Sequence, residues 1–76
     1  MSVVLYTTVG CHLCDQASEL VAMVAPGVTL TRVDVAEDDA LLARYGERIP
    51  VLMTAGRELA WPFGLLDVQQ FLADSD

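Results

Sequence analysis

Strand-like and helix-like runs alternate along this chain, and the breaks between them are sharp. That alternation limits what 76 residues can fold into. Val3–Tyr6 is a β-branched and aromatic run bounded by Thr7-Thr8-Val9-Gly10, and it reads as a strand buried on both faces. A helical pattern starts at Cys11. Leu13, Ala17, Leu20, Val21 and Val24 recur at helical spacing and make one apolar stripe, which Pro26-Gly27 ends. Val28–Val35 is a second strand, and Thr29, Thr31 and Arg32 give it the look of an edge. Glu37-Asp38-Asp39 supplies the negative first turn of a second helix, with Leu41, Leu42 and Tyr45 inward and Gly46 as its C′ residue. Pro50–Thr54 is a third strand, turned by Ala55-Gly56 into a fourth, Arg57–Trp61. Pro62-Phe63-Gly64 breaks the pattern before a last helix, Leu65–Ala73, with Leu65, Val68, Phe71 and Leu72 inward. The acidic tail Asp74-Ser75-Asp76 is expected to fray.

The order is therefore strand, helix, strand, helix, strand, strand, helix. A strand–helix–strand unit gives parallel strands with a right-handed crossover, and the hairpin is antiparallel. The compact solution is an α/β fold with a four-stranded mixed sheet and helices on both faces. A chain of this length buries about 60% of its unfolded surface, enough for one small core, so residues 1–76 are expected to form a single domain. The apolar content of 54% argues against disorder.

Charge narrows the partners. Eleven acidic residues face four arginines (Arg32, Arg44, Arg48 and Arg57), with no lysine, for a net charge of -7. No basic patch exists to follow a phosphate backbone or an anionic membrane, so neither nucleic acid nor a membrane surface is an expected partner. No apolar run approaches the ~18–20 residues of a membrane span. Met1–Tyr6 lacks a basic segment of the secretory type, so a cytoplasmic location is the expectation.

Both cysteines lie in one motif, Cys11-His12-Leu13-Cys14, where the first strand hands over to the first helix. Three residues make nearly one helical turn, so the two side chains point the same way and can close a disulfide. Unsatisfied N–H groups and the positive end of the helix dipole stabilise a thiolate at such a place; thiol pKa values there fall to ~3.5–7.5. Cys11 is then the attacking thiol and Cys14 the resolving one. A structural zinc site needs about four ligands, and the chain offers only Cys11, Cys14 and His12 as Cys or His. A structural disulfide across so short a loop stabilises little.

The segment Val3–Cys14 resembles the start of a glutaredoxin, and Tyr45-Gly46-Glu47-Arg48-Ile49-Pro50-Val51-Leu52 resembles the segment that carries the cis-proline of the thioredoxin superfamily. The likeness covers nearly the whole chain and is closest to short bacterial glutaredoxin-like proteins. It implies a thioredoxin-like, glutaredoxin-type βαβαββα fold and a cis Ile49–Pro50 bond, with Pro50 packed beside the sulfurs. It also implies that the Ile49 backbone offers β-type hydrogen bonds to a peptide or to glutathione.

The sequence departs from the glutaredoxin pattern in several places. His12 and Leu13 stand where proline and an aromatic residue are usual, and Thr7-Thr8 where a lysine is usual. His12 either helps to stabilise the Cys11 thiolate or is a solvent-exposed histidine without a role. Asp15, four residues beyond Cys11, favours the helix start but repels a thiolate. Arg48 is the one cation expected near the site; it either meets a carboxylate of glutathione or pairs with Glu47 or Asp34. Trp61-Pro62-Phe63 either walls the active site or caps the core, the core being favoured for Phe63.

Together these features point to a thiol–disulfide oxidoreductase acting through Cys11 and Cys14, with Ile49, Pro50, Arg48 and His12 as substrate-binding candidates. No metal or organic cofactor is expected. Glutathione is a candidate co-substrate, and a protein or small-molecule disulfide is the expected substrate. Glutathione or a thioredoxin-type reductase would regenerate the thiols, and the protein is expected to be a monomer. The other reading is a non-catalytic thioredoxin-fold binding module.

Overall fold

The computed structural model describes residues 2–74. Ser75 and Asp76, where fraying is expected, lie outside the described residues. The elements are β1 (Ser2–Thr7), α1 (His12–Val24), β2 (Thr29–Asp34), α2 (Asp39–Tyr45), β3 (Val51–Thr54), β4 (Arg57–Ala60) and α3 (Leu65–Ala73), with a 3-10 turn at Val35–Glu37. The sheet runs β2-β1-β3-β4. β1 pairs parallel with β2 from Ser2↔Thr29 to Thr7↔Asp34, and antiparallel with β3 through Leu5↔Leu52. β2 is an edge strand, as its polar sequence anticipates.

Alternation along the strands divides the core into two layers. Val3, Leu5 and Leu52 face α1 and α3, where they meet Ala17, Val21, Val68, Phe71 and Leu72. Tyr6 and Val51 face the other way, towards Val35 and Tyr45. The Tyr6 and Tyr45 rings stack with centroids 4.2 Å apart. Phe63 is buried in the first layer, and half-buried Trp61 packs edge-on against it at 5.0 Å. The core reading of Phe63 therefore holds, and Trp61 is shared between core and surface.

Several local expectations are corrected. The acidic run does not open one helix. Asp34 Oδ1 accepts the Ala36 N–H at 2.9 Å and starts the 3-10 turn, whereas Asp38 Oδ1 accepts from Ala40 and Leu41 at 2.9 and 3.1 Å and caps α2. Two short carboxylate side chains in succession thus divide the segment. Gly46 is the C-cap itself rather than the residue after it, with right-handed backbone. A Cβ there would lie 2.5 Å from the Leu42 carbonyl oxygen, so glycine is required by close approach. β4 stops at Ala60, one residue short of Trp61. Leu13, Leu42 and Leu65 are exposed rather than inward. Each lies on an apolar helical stripe, but the sheet is too small to cover the whole stripe. No helix among the described residues is long and apolar enough to cross a membrane.

Candidate functional site

β1 ends at Thr7, and the chain turns through Gly10, whose φ of 78° belongs to the left-handed region that glycine occupies readily. This delivers Cys11 as the N-cap of α1, with extended backbone, rather than as its first helical residue. Cys11 and Cys14 are joined by a disulfide, with Cα atoms 5.2 Å apart. The Cys14 N–H donates to Cys11 Sγ at 3.1 Å, so the sulfur fills the capping place that a serine hydroxyl often takes. Cys14 is 0% exposed, while Cys11 is partly open. Access is thus unequal: residue Cys11 is partly exposed, while Cys14 is fully buried.

The sheet register brings the proline segment to the same end. Tyr6 pairs with Val51, so Pro50 lies one step further along, level with Thr7. The Ile49–Pro50 peptide is cis, as is Trp61–Pro62. Pro50 is buried, and its carbonyl accepts the Trp61 N–H at 3.0 Å. The Ile49 N–H donates to the Tyr45 carbonyl at 3.1 Å, so only the Ile49 carbonyl is left for a two-sided pairing.

Arg48 is engaged by β4 and by Tyr45. Its guanidinium reaches Glu58 Oε2 at 3.7 Å and lies 5.9 Å above the Tyr45 ring. Glu58 is three residues before Trp61, roughly 10 Å down β4. Glu58 also takes Arg44 at 3.2 Å and the Tyr45 hydroxyl at 2.9 Å. Arg48 therefore pairs with neither Glu47 nor Asp34. Burial first, then the hydrogen bond to Glu58, pushes the Tyr45 phenol above its ordinary value. This cluster was invisible to spacing rules, because Glu58 is fourteen residues from Arg44 and thirteen from Tyr45. The alternation of β4, which turns Glu58 to the α2 side, is the one signal that could have found it.

Asp15 is met by Arg32 of β2, Nη1 to Oδ1 3.4 Å, so the carboxylate nearest the site in sequence carries its own counter-charge. His12 is exposed at the first position of α1. Two shallow surface grooves occur elsewhere: one at the opposite end of the molecule, between Val24, Val28 and Leu72, and one beside β4 around Arg57 and Phe71. Among the described residues no three Cys, His, Asp or Glu side chains gather as metal ligands would.

The sequence model of the glutaredoxin-like domain (DUF836) matches residues 2–73. The X-ray structure of the structural-genomics target protein XcR50 from X. campestris is 40% identical, covers 97% of this chain and 99% of its own, and superposes with a TM-score of 0.89. The solution structure of that protein gives 40% identity, 100% and 97% coverage and a TM-score of 0.88. A mutant thioredoxin from Halobacterium salinarum, 21% identical over 97% of this chain and 73% of its own, has a TM-score of 0.68 and shares the fold. No curated protein matches the chain significantly. With a mixed four-stranded sheet, three helices and a Cys-x-x-Cys disulfide at the head of the first helix, this chain belongs to the glutaredoxin-like domain family and has the thioredoxin fold.

Proposed function

We propose that the protein is a thiol–disulfide oxidoreductase that works by dithiol exchange. The observation that carries this reading is the unequal pair at the start of α1: a formed disulfide between a partly exposed Cys11 and a fully buried Cys14. In the reduced protein, the Cys11 thiolate attacks one sulfur of a substrate disulfide. One substrate thiolate leaves and takes a proton from water. The Cys14 thiolate then attacks Cys11 Sγ and releases the second substrate thiol. The substrate gains two electrons and the Cys11–Cys14 pair loses them, so the exchange needs no metal or organic cofactor.

The surroundings support this assignment of roles. The Cys14 N–H that meets Cys11 Sγ, together with the positive end of α1, favours negative charge on the attacking sulfur. Pro50 lies at the same end of the sheet, and the Ile49 carbonyl can accept one hydrogen bond from an extended substrate. Regeneration falls to a small thiol or a thioredoxin-type reductase, and the working unit is a monomer.

Turnover of a small neutral disulfide tests the reading. Cys11→Ser is expected to abolish it, and Cys14→Ser to stop at a covalent adduct on Cys11 that mass spectrometry detects. Full activity of Cys11→Ser would overturn the role given to Cys11, and no turnover by the wild type would leave a non-catalytic binding module as the remaining reading.

A further inference from the structure

The chain path fixes what surrounds the disulfide. β1 runs up to Thr7, β3 starts at that end and descends, and β4 returns to it. α1 and α3 therefore both begin there. The groove at the far end, where Val24 and Val28 meet Leu72 and Ala73, shows their last turns lying together. The disulfide end thus gathers four exposed apolar side chains: Val9 at 90%, Leu13 at 42%, Leu65 at 38% and Leu66 at 76% exposure. Most large apolar side chains of this small chain are covered, so this concentration around the sulfurs points to a partner.

Charge selects the partner. Arg32 is held by Asp15, and Arg44 and Arg48 by Glu58, while Arg57 lies over the Phe71 ring at 5.5 Å. Arg48, two residues before Pro50, has its charge met by Glu58 of β4. The carboxylates of Asp34, Glu47 and Asp67 at or beside this end have no arginine partner among the described residues. Asp34 and Asp67 also serve as local caps, accepting from Ala36 and Gly64. Asp34 is level with Thr7, Glu47 stands two residues before Ile49 and Asp67 lies in the first turn of α3. With a net charge of -7, these chain positions put uncompensated negative charge at or next to this end.

We propose that the disulfide end is a docking face for an extended polypeptide carrying lysine or arginine beside its disulfide-bonded cysteine, and that it disfavours glutathione, which bears two carboxylates. The inference rests on the exchange chemistry proposed above. Apolar side chains of the segment cover Leu66 and Leu13, its backbone N–H meets the Ile49 carbonyl, and its cations face the uncompensated carboxylates.

The test uses the reduced protein and four disulfides. Two are short peptides of equal length and apolar content, with lysine or glutamate flanking the cysteine, each capped by 2-mercaptoethanol. The third is glutathione disulfide, and the fourth is bis(2-hydroxyethyl) disulfide as a neutral control. At low salt the lysine peptide is expected to react about tenfold faster than the glutamate peptide or glutathione disulfide, the low end of electrostatic steering. The ratio should approach one in about 1 M salt, where screening reaches to roughly 3 Å. Leu66→Gln should slow both peptides relative to the control. If the control exchanges normally but the glutamate peptide or glutathione disulfide matches the lysine peptide at low salt, the inference is overturned and the exchange chemistry stands. If the control does not exchange, both fall.

Discussion

Cys11 Sγ caps α1, and in the proposed exchange it is also the attacking atom; substitutions can separate the two tasks. Serine keeps an acceptor for the Cys14 N–H, whereas alanine does not. Cys11→Ser should therefore lose exchange and retain stability, while Cys11→Ala should lose exchange and about 1 kcal/mol as well. Denaturant melts of both variants, against the reduced wild type, would show the difference. Tyr45 offers a second separation. Its phenol titrates above the ordinary 10.0 in the folded protein. A raised pKa means that the unfolded chain releases this proton first, so the contribution is fully present below pH 10.0 and is lost as pH rises through the folded value. In the oxidised protein, the denaturation midpoint should fall with pH on the alkaline side. Tyr45→Phe should flatten that fall while costing about 1 kcal/mol at neutral pH for the lost Glu58 bond. The redox pair was legible in the sequence because both partners lie within one helical turn. The Glu58 cluster was not, because its members come from α2, β4 and the segment between them, and only the folded sheet brings them together.

The β3–β4 hairpin closes on Ala55 and Gly56, with φ of 52° and 74°. Two positive φ values in a two-residue loop are the signature of a type I′ turn, whose twist suits paired strands. Ala55 adopts this geometry without the help that an asparagine side chain would give. Ala55→Asn should raise stability by about 0.5–1 kcal/mol, measured as a higher denaturant midpoint at unchanged slope. The hairpin was readable because glycine in a two-residue break is a strong local cue. The limits of α2 were not: Glu37, Asp38 and Asp39 all suit a first turn, and only hydrogen bonding shows Asp38 to be the cap. Likewise, periodicity marks Leu13 and Leu65 as apolar positions on their helices, but cannot say where the sheet beneath them ends.

A fold with this few residues places its two layers and its reactive end on one set of strands. Leu5 and Leu52 are paired neighbours at 0% exposure under α1 and α3. Leu52→Ala should cost about 2–5 kcal/mol, the scale at which a small domain's total stability of roughly 5–15 kcal/mol is put at risk. Thermal melting would register it as a large drop or as loss of the transition. Strand order was legible as a set of pairings, since the βαβ unit and the hairpin each force one. The direction of the arginines was not, since that depends on how the strands are ordered. The joint hold of Arg44 and Arg48 on Glu58 has a consequence for motion. It ties the end of α2 and the approach to Pro50 onto β4, across the same face that buries Tyr45. The Ile49 amide, bonded to Tyr45 inside that tie, should exchange its hydrogen for deuterium only in slow, wide openings. Loosening the tie with Glu58→Gln should let it exchange through small, frequent ones, while amides in β1 keep their protection.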